Sequence, residues 1–287
     1  MPLFRTVTQT PLTRLFAQDV EGRSTQKRND VPWDTFSAAR YPDSALEVGY
    51  DAMRWLASGE YTAVEGFARL VVGFSWHGVP YDLIAACARI PGDEIRHSEI
   101  ALKAAARLSG KSESEVPLQI DGRRPKRPAD VRAPLSDIDV QVAVLPAFLE
   151  TVAASLLAEA RRRAVDPMMK AVYASILADE IHHARLGWYY LAWRAPQWTQ
   201  AEKQRVADAV GAQIVGRVAQ ISDGRPASAG AKRALSALGV MDAATQARVV
   251  KRVMEEEIVP GFDALGLGAS HAYAKSGFAR SAKRASR

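Results

Sequence analysis

Apolar residues recur at helical intervals through most of the chain. Leu46, Met53, Leu56, Ala57, Val64, Phe67, Ala68, Leu70 and Val71 follow three- and four-residue spacings, which predicts a helix across about 44–74. The segment 75–80 (SWHGVP) breaks it, and Pro80 suits the first turn of a second helix that runs to about Leu108, where Ser109 and Gly110 end it. Residues 111–136 are polar and rich in Pro and Arg, too long a connection for a tight hairpin. A third helix is expected within 137–165. Val140–Leu145 is the best strand candidate, but the residues after it favour helix. Asp166 and Pro167 start a fourth helix that ends near Arg194, before Pro196. Further helices are expected at about 199–221 and 242–258, on either side of a Gly/Ala/Ser-rich joint at 223–230. The predicted fold is all-α. An irregular arm covers 1–43, a four-helix bundle 44–195, additional helices 196–265 and a basic flexible tail 266–287.

The chain also repeats itself. Ile90 to His97 reads IPGDEIRH, and Ile176 to His183 reads ILADEIHH. Glu94 and His97 stand three residues apart, as do Glu180 and His183. On a helix that spacing leaves two side chains about 60° apart and about 4.5 Å along the axis, so both reach one cation from one face. Each motif also follows a helix that carries a glutamate. Glu65 and Glu150 stand at nearly matched distances before the two motifs and are the expected partners, with Glu60 and Glu159 as alternatives. Four carboxylates facing one another in a core repel strongly unless protonated or neutralised. Two divalent cations balance their charge, and oxygen and nitrogen ligands without thiolate suit iron or manganese.

Composition narrows the choice. The 287 residues include one cysteine, Cys87, which excludes an intramolecular disulfide and any paired CxxC knuckle. The net charge is +6, and the excess of basic over acidic residues concentrates in two segments. Arg123, Arg124, Lys126, Arg127 and Arg132 stand against Asp121 and Asp130, while Lys275, Arg280, Lys283, Arg284 and Arg287 face no acid at all. The first segment has no aromatic and the tail only Tyr273 and Phe278, short of the interleaving of a single-strand binding surface, so nucleic acid is not an expected partner. No apolar run reads as a membrane span and the first residues do not read as a secretory signal, so a cytoplasmic location is expected. Gly266 and Gly268 only begin a dinucleotide fingerprint, which leaves metal as the sole expected cofactor.

The doubled DExxH pattern resembles the ferritin-like superfamily of carboxylate-bridged dimetal proteins, over about 45–195. The resemblance implies two metal ions, iron or a manganese–iron pair, held by Glu65, Glu94, His97, Glu150, Glu180 and His183. It assigns Asp93 and Asp179 to the outer side of the site, bonded to the ligand histidines. It further implies an oxidase or oxygenase that activates dioxygen to hydroxylate, desaturate or N-oxygenate a small organic substrate. Electrons would come from an external donor, and a homodimer is among the expected assemblies. The alternatives are a ferroxidase or peroxide-scavenging protein and a non-catalytic metal-binding bundle. Tyr61, Ala147, Ala153, Ala154 and Tyr173 are pocket candidates near the glutamates. Pro91 and Pro146 stand just before Glu94 and Glu150. Each is expected either to kink a helix or to start one.

Overall fold

The computed structural model describes residues 31–118, 135–221 and 229–276. Residues 1–30, the basic segment 119–134, the joint at 222–228 and the end of the basic tail lie outside the described residues. Among the described residues there is no strand. After two short 3₁₀ turns, α1 (Asp43–Trp76) starts behind Pro42 and stops at His77 and Gly78. The chain returns through α2 (Tyr81–Cys87) and α3 (Ile90–Ser109), the latter closed by Gly110 at φ 69°. The expected second helix is therefore two helices, and Pro91 lies in the first turn of the second, where a missing N–H costs nothing.

The next helix contains a widened turn. α4 (Leu135–Val142) runs into a π-helical turn at Ala143–Leu149 and continues as α5 (Glu150–Arg163). Pro146 sits inside that turn. It has no N–H for an i→i−4 bond and its ring crowds the preceding turn, and a π turn accommodates both defects. The valines at 140–145 are helical. α6 (Pro167–Arg194) starts with Asp166, whose side chain accepts from Met168 N at 3.0 Å and Met169 N at 3.2 Å. α7 (Gln200–Ile221), α8 (Ala229–Ala237), α9 (Ala243–Val253), α10 (Val259–Ala264) and α11 (Ala269–Lys275) follow. α8 and α11 were not expected. α11 falls in the stretch expected as a flexible tail, yet its Ala269 and Tyr273 are buried and it packs on α7.

α1 packs along α3 and α5 along α6, and α3 meets α6 while α1 meets α4. A three-residue turn at 164–166 joins α5 to α6 as a tight helical hairpin, α2 joins α1 to α3 as a wider one, and the two pairs form a helical bundle. Its interior divides in two. One apolar core gathers Phe67, Leu70 and Phe74 of α1 with Phe148, Leu186 and Tyr190. The other gathers Met53, Leu108, Leu157, Met168 and Ile176. The glutamates and histidines of the repeat lie between these cores along α1, α3 and α6. The helical stretch Asp137–Arg163 is long and apolar enough to cross a membrane by length and composition, an 18-residue window within it having a mean hydropathy of 1.8, where the sequence reading expects no span. Half of that window is buried in the protein, and the helical stretch carries the buried Glu150 near its middle, so bundle packing accounts for its apolarity.

Candidate metal centre

Each helix of the two hairpins delivers one part of a buried cluster. α3 supplies Glu94 and His97, α6 supplies Glu180 and His183, and all four are buried. The i, i+3 spacing puts each pair on one inward face. α5 opens with Glu150, also buried. α1 supplies Glu60, whose side chain is 12% exposed. Glu65 is not in the cluster; it lies exposed. Five residues turn a helix by about 140° beyond a full rotation, so the two glutamates cannot face the same way.

Two overlapping sets of ligand atoms result: Glu60, Glu94, His97 and Glu180, and Glu94, Glu150, Glu180 and His183. Within each set the atoms all lie within 4.8 Å of one another, and Glu94 and Glu180 belong to both. His97 Nδ1 lies 3.0 Å from Glu180 Oε1, 3.7 Å from Glu94 Oε2 and 3.9 Å from Glu60 Oε2. His183 Nδ1 lies 3.1 Å from Glu94 Oε1 and 3.6 Å from Glu180 Oε1. These atoms are at ion-pairing distance without hydrogen-bond geometry. Both oxygens of Glu94 and Glu180 and both Nδ1 atoms are buried without a hydrogen bond among the described residues. Buried polar atoms left in that state are rare. A cation is the group they fit, because it accepts several oxygen and nitrogen lone pairs at once.

The opposite edges of both imidazoles are occupied. His97 Nε2 donates to Asp179 Oδ2 at 3.3 Å, and His183 Nε2 donates to Asp93 Oδ2 at 3.4 Å. The pairing is crossed: each aspartate holds the histidine of the other motif. A proton on Nε2 leaves Nδ1 with its lone pair toward the cluster, which is the tautomer a metal requires.

No protein-family model matches the chain, and no curated protein matches its sequence. The site therefore rests on its own geometry.

The protonation pattern describes what holds the cluster together without a cation. Burial, reinforced by the Glu180 and Glu94 charges, pushes the Glu60 carboxyl up to about 8 against the pull of His97. Burial and the Glu180 carboxylate push Glu150 well above the usual range. Burial also opposes ionisation of Glu94, but His183 and His97 outweigh it and hold that carboxyl at about 2. Burial disfavours the charged imidazoles. Asp179 and Glu180 nonetheless raise His97 well above its ordinary value, and Glu180 and Asp93 raise His183 to about 9. Protons thus stand in for cations: two acids stay neutral and two imidazoliums balance two carboxylates.

That balance has a direction in pH. Groups whose folded values are raised stabilise the fold at low pH and lose that contribution as pH rises through them. For Glu60 the window is 4.5 to about 8 and for His183 it is 6.5 to about 9. The depressed Glu94 acts oppositely, losing its contribution as pH falls from 4.5 toward about 2. Metal-free protein is expected to lose roughly 5 °C or more of Tm between pH 6.5 and 8. Adding a divalent cation at pH 7 should release about three to four protons per chain and abolish that loss. Thermal melts and a pH-stat titration check both, and a metal-free Tm that rises over this interval contradicts the assignment.

The remaining sequence candidates lie elsewhere or are already engaged. Tyr61 is exposed. Tyr173 is buried in the second core, where its hydroxyl donates to Leu238 O at 3.3 Å. Ala147 is buried against the backbone of Gly187, and Ala153 and Ala154 are half-buried beyond Glu150. Glu159 is paired with Arg162 at 2.6 Å. Matched spacing points to Glu65 over Glu60, although Glu60 is in phase with Met53, Ala57, Phe67 and Phe74 on the inward face of α1. That phase is the signal that separates the two.

Proposed function

We propose that the bundle is ferritin-like and that the protein is a dimetal oxidoreductase, taking two iron ions and using dioxygen to oxidise a small organic substrate. The observation that carries this is the set of six buried ligand atoms without hydrogen bonds, divided into two groups that share Glu94 and Glu180. A mixed carboxylate and imidazole set without sulfur favours iron or manganese. Cys87 is no competitor, since its Sγ faces the Phe67 carbonyl at 3.8 Å.

When bound, two redox-active cations supply the electrons and the Lewis acidity that dioxygen chemistry needs. The chain's own residues do the rest. Glu94 and Glu180 hold both subsites in one frame, while Glu60 with His97 and Glu150 with His183 complete one subsite each. Asp93 and Asp179 keep the imidazoles oriented. The flanking apolar cores exclude water, with Phe67 packed 5.7 Å from His183, ring centre to ring centre. Glu60 is the most exposed of the six residues in the cluster, so solvent and small solutes approach from its side. Re-reduction needs an external donor.

Anaerobic titration with Fe(II) and metal counting, followed by rapid mixing with oxygen, tests the reading. About two irons per chain and a transient visible absorption are expected. A chain that takes up none refutes the metal centre. Uptake followed by iron oxidation, with no organic compound ever turned over, refutes the oxidoreductase in favour of ferroxidase chemistry.

A further inference from the structure

Within their DExxH cores the two copies of the motif differ at one position, and the difference has a geometric consequence. Three residues after Asp93 stands Arg96, whereas three residues after Asp179 stands His182. A single guanidinium therefore serves both aspartates. Arg96 Nη2 donates across the helix interface to Asp179 Oδ2, and on its own helix to Asp93 Oδ1 at 3.4 Å. Its Nη1 reaches Ser175 Oγ at 3.5 Å. Nη2 also lies 3.4 Å from His97 Nε2, a contact of two donors in the tautomer that bonds Asp179.

The result is a continuous chain, His97 to Asp179 to Arg96 to Asp93 to His183, running along the outside of the cluster from one ligand set to the other. Asp179 is fully buried, and a buried carboxylate needs a partner charge to remain ionised. Arg96, 22% exposed, brings that charge from the surface. The two N–H groups of Nη2 serve both aspartates while Nη1 faces Ser175 Oγ, a set of donors fixed in one plane that a rotating lysine ammonium does not reproduce.

We propose that Arg96 is a positioning residue that couples the two metal subsites, by holding both aspartates where they fix the two imidazoles with Nδ1 toward the cluster. The inference rests on the metal-centre reading above. A salt bridge with only a structural role would cost stability when cut and leave the affinity of both subsites unchanged. A coupling strap makes the binding of each cation depend on the arrangement at the other.

Titration with cobalt(II), followed by equilibrium dialysis and visible absorption, separates the cases. Arg96→Gln is expected to weaken both cobalt equivalents, each by about tenfold or more. Asp93→Asn should weaken chiefly one equivalent and Asp179→Asn chiefly the other. In the Arg96→Gln background each Asn substitution should cost less than it does alone, because the strap is already cut. Arg96→Lys keeps a cation and is expected to spare one equivalent while weakening the other, which provides the test should Arg96→Gln not fold. Wild-type affinity for both equivalents in either Arg96 variant, or full additivity with the Asn substitutions, overturns the proposal. A wild-type chain that binds no cobalt overturns the metal-centre reading itself.

Discussion

Glu94→Gln and Glu180→Gln are each expected to reduce metal content from two ions per chain to fewer than one. Both carboxylates belong to both ligand sets, so each substitution damages two subsites together. An amide keeps the volume and one weak carbonyl ligand, but it loses the charge and the second oxygen that sharing requires. Glu60→Gln and Glu150→Gln each touch one set, and about one ion per chain should remain. Glu65→Gln is expected to leave both ions in place, since that side chain is exposed. The metal-free Glu94→Gln protein should also melt lower. Glu94 is a carboxylate counter-charge to His183 at 3.1 Å, and removing one partner of a buried ion pair typically costs about 3–5 kcal/mol. Elemental analysis after dialysis, with a thermal melt beside it, measures both effects. Two retained ions in either Glu94→Gln or Glu180→Gln would show that the shared carboxylates are not shared.

The second large effect lies where two helices touch backbone to backbone. A Cβ added at Gly187 of α6 would come 2.6 Å from the carbonyl carbon of Pro146 and 2.7 Å from Ala147 Cα. Those atoms belong to the π turn and cannot swing aside as a flexible side chain would. The turn is tied down locally as well: Thr151 Oγ1 donates to Ala147 O at 2.6 Å, and Trp188 Nε1 donates to Thr151 Oγ1 at 3.0 Å. Gly187→Ala must therefore part α6 from the turn, at a cost of about 3 kcal/mol or more, or roughly 5–10 °C in Tm. Glu150 follows the turn directly, so the subsite it shares with His183 should bind its ion more weakly. Gly216 of α7 has nothing within 4 Å of an added Cβ, and Gly216→Ala should stabilise slightly, as helix propensity alone dictates. Equal melting temperatures for the two variants would remove the π turn from the account of the site.

The part of the cluster written as Glu-x-x-His was legible in the sequence because i, i+3 spacing is a local property of a helix, fixed before any tertiary contact forms. The lone glutamates were harder, because their distance from the motif depends on the connection between helices. After Glu150 the chain turns at 164–166 and comes straight back along α6. After Glu60 it passes through the break at 77–80, the short α2 and a further corner before α3 begins. Equal spacing therefore selected Glu65, and only the phase of α1 recovers Glu60. Pro91 and Pro146 read alike in sequence, yet one begins a helix and the other sits in a π turn. What separates them is the approach of α6 at Gly187, a contact between residues far apart in the chain. α11 was missed for a related reason. Its seven residues are too few for periodicity to register, and it is burial of Ala269 and Tyr273 against the rest of the protein that orders them.

The layer of acids and imidazoles between the two apolar cores sets the character of the whole molecule. Leucine or methionine at these positions would merge the halves into one uninterrupted interior, and exchanges of that kind usually raise melting temperature. Such a protein would be sturdier and would have nothing to offer a cation. This chain instead keeps a polar seam between its two cores, with buried oxygen and nitrogen atoms left unbonded in an arrangement that fits a cation.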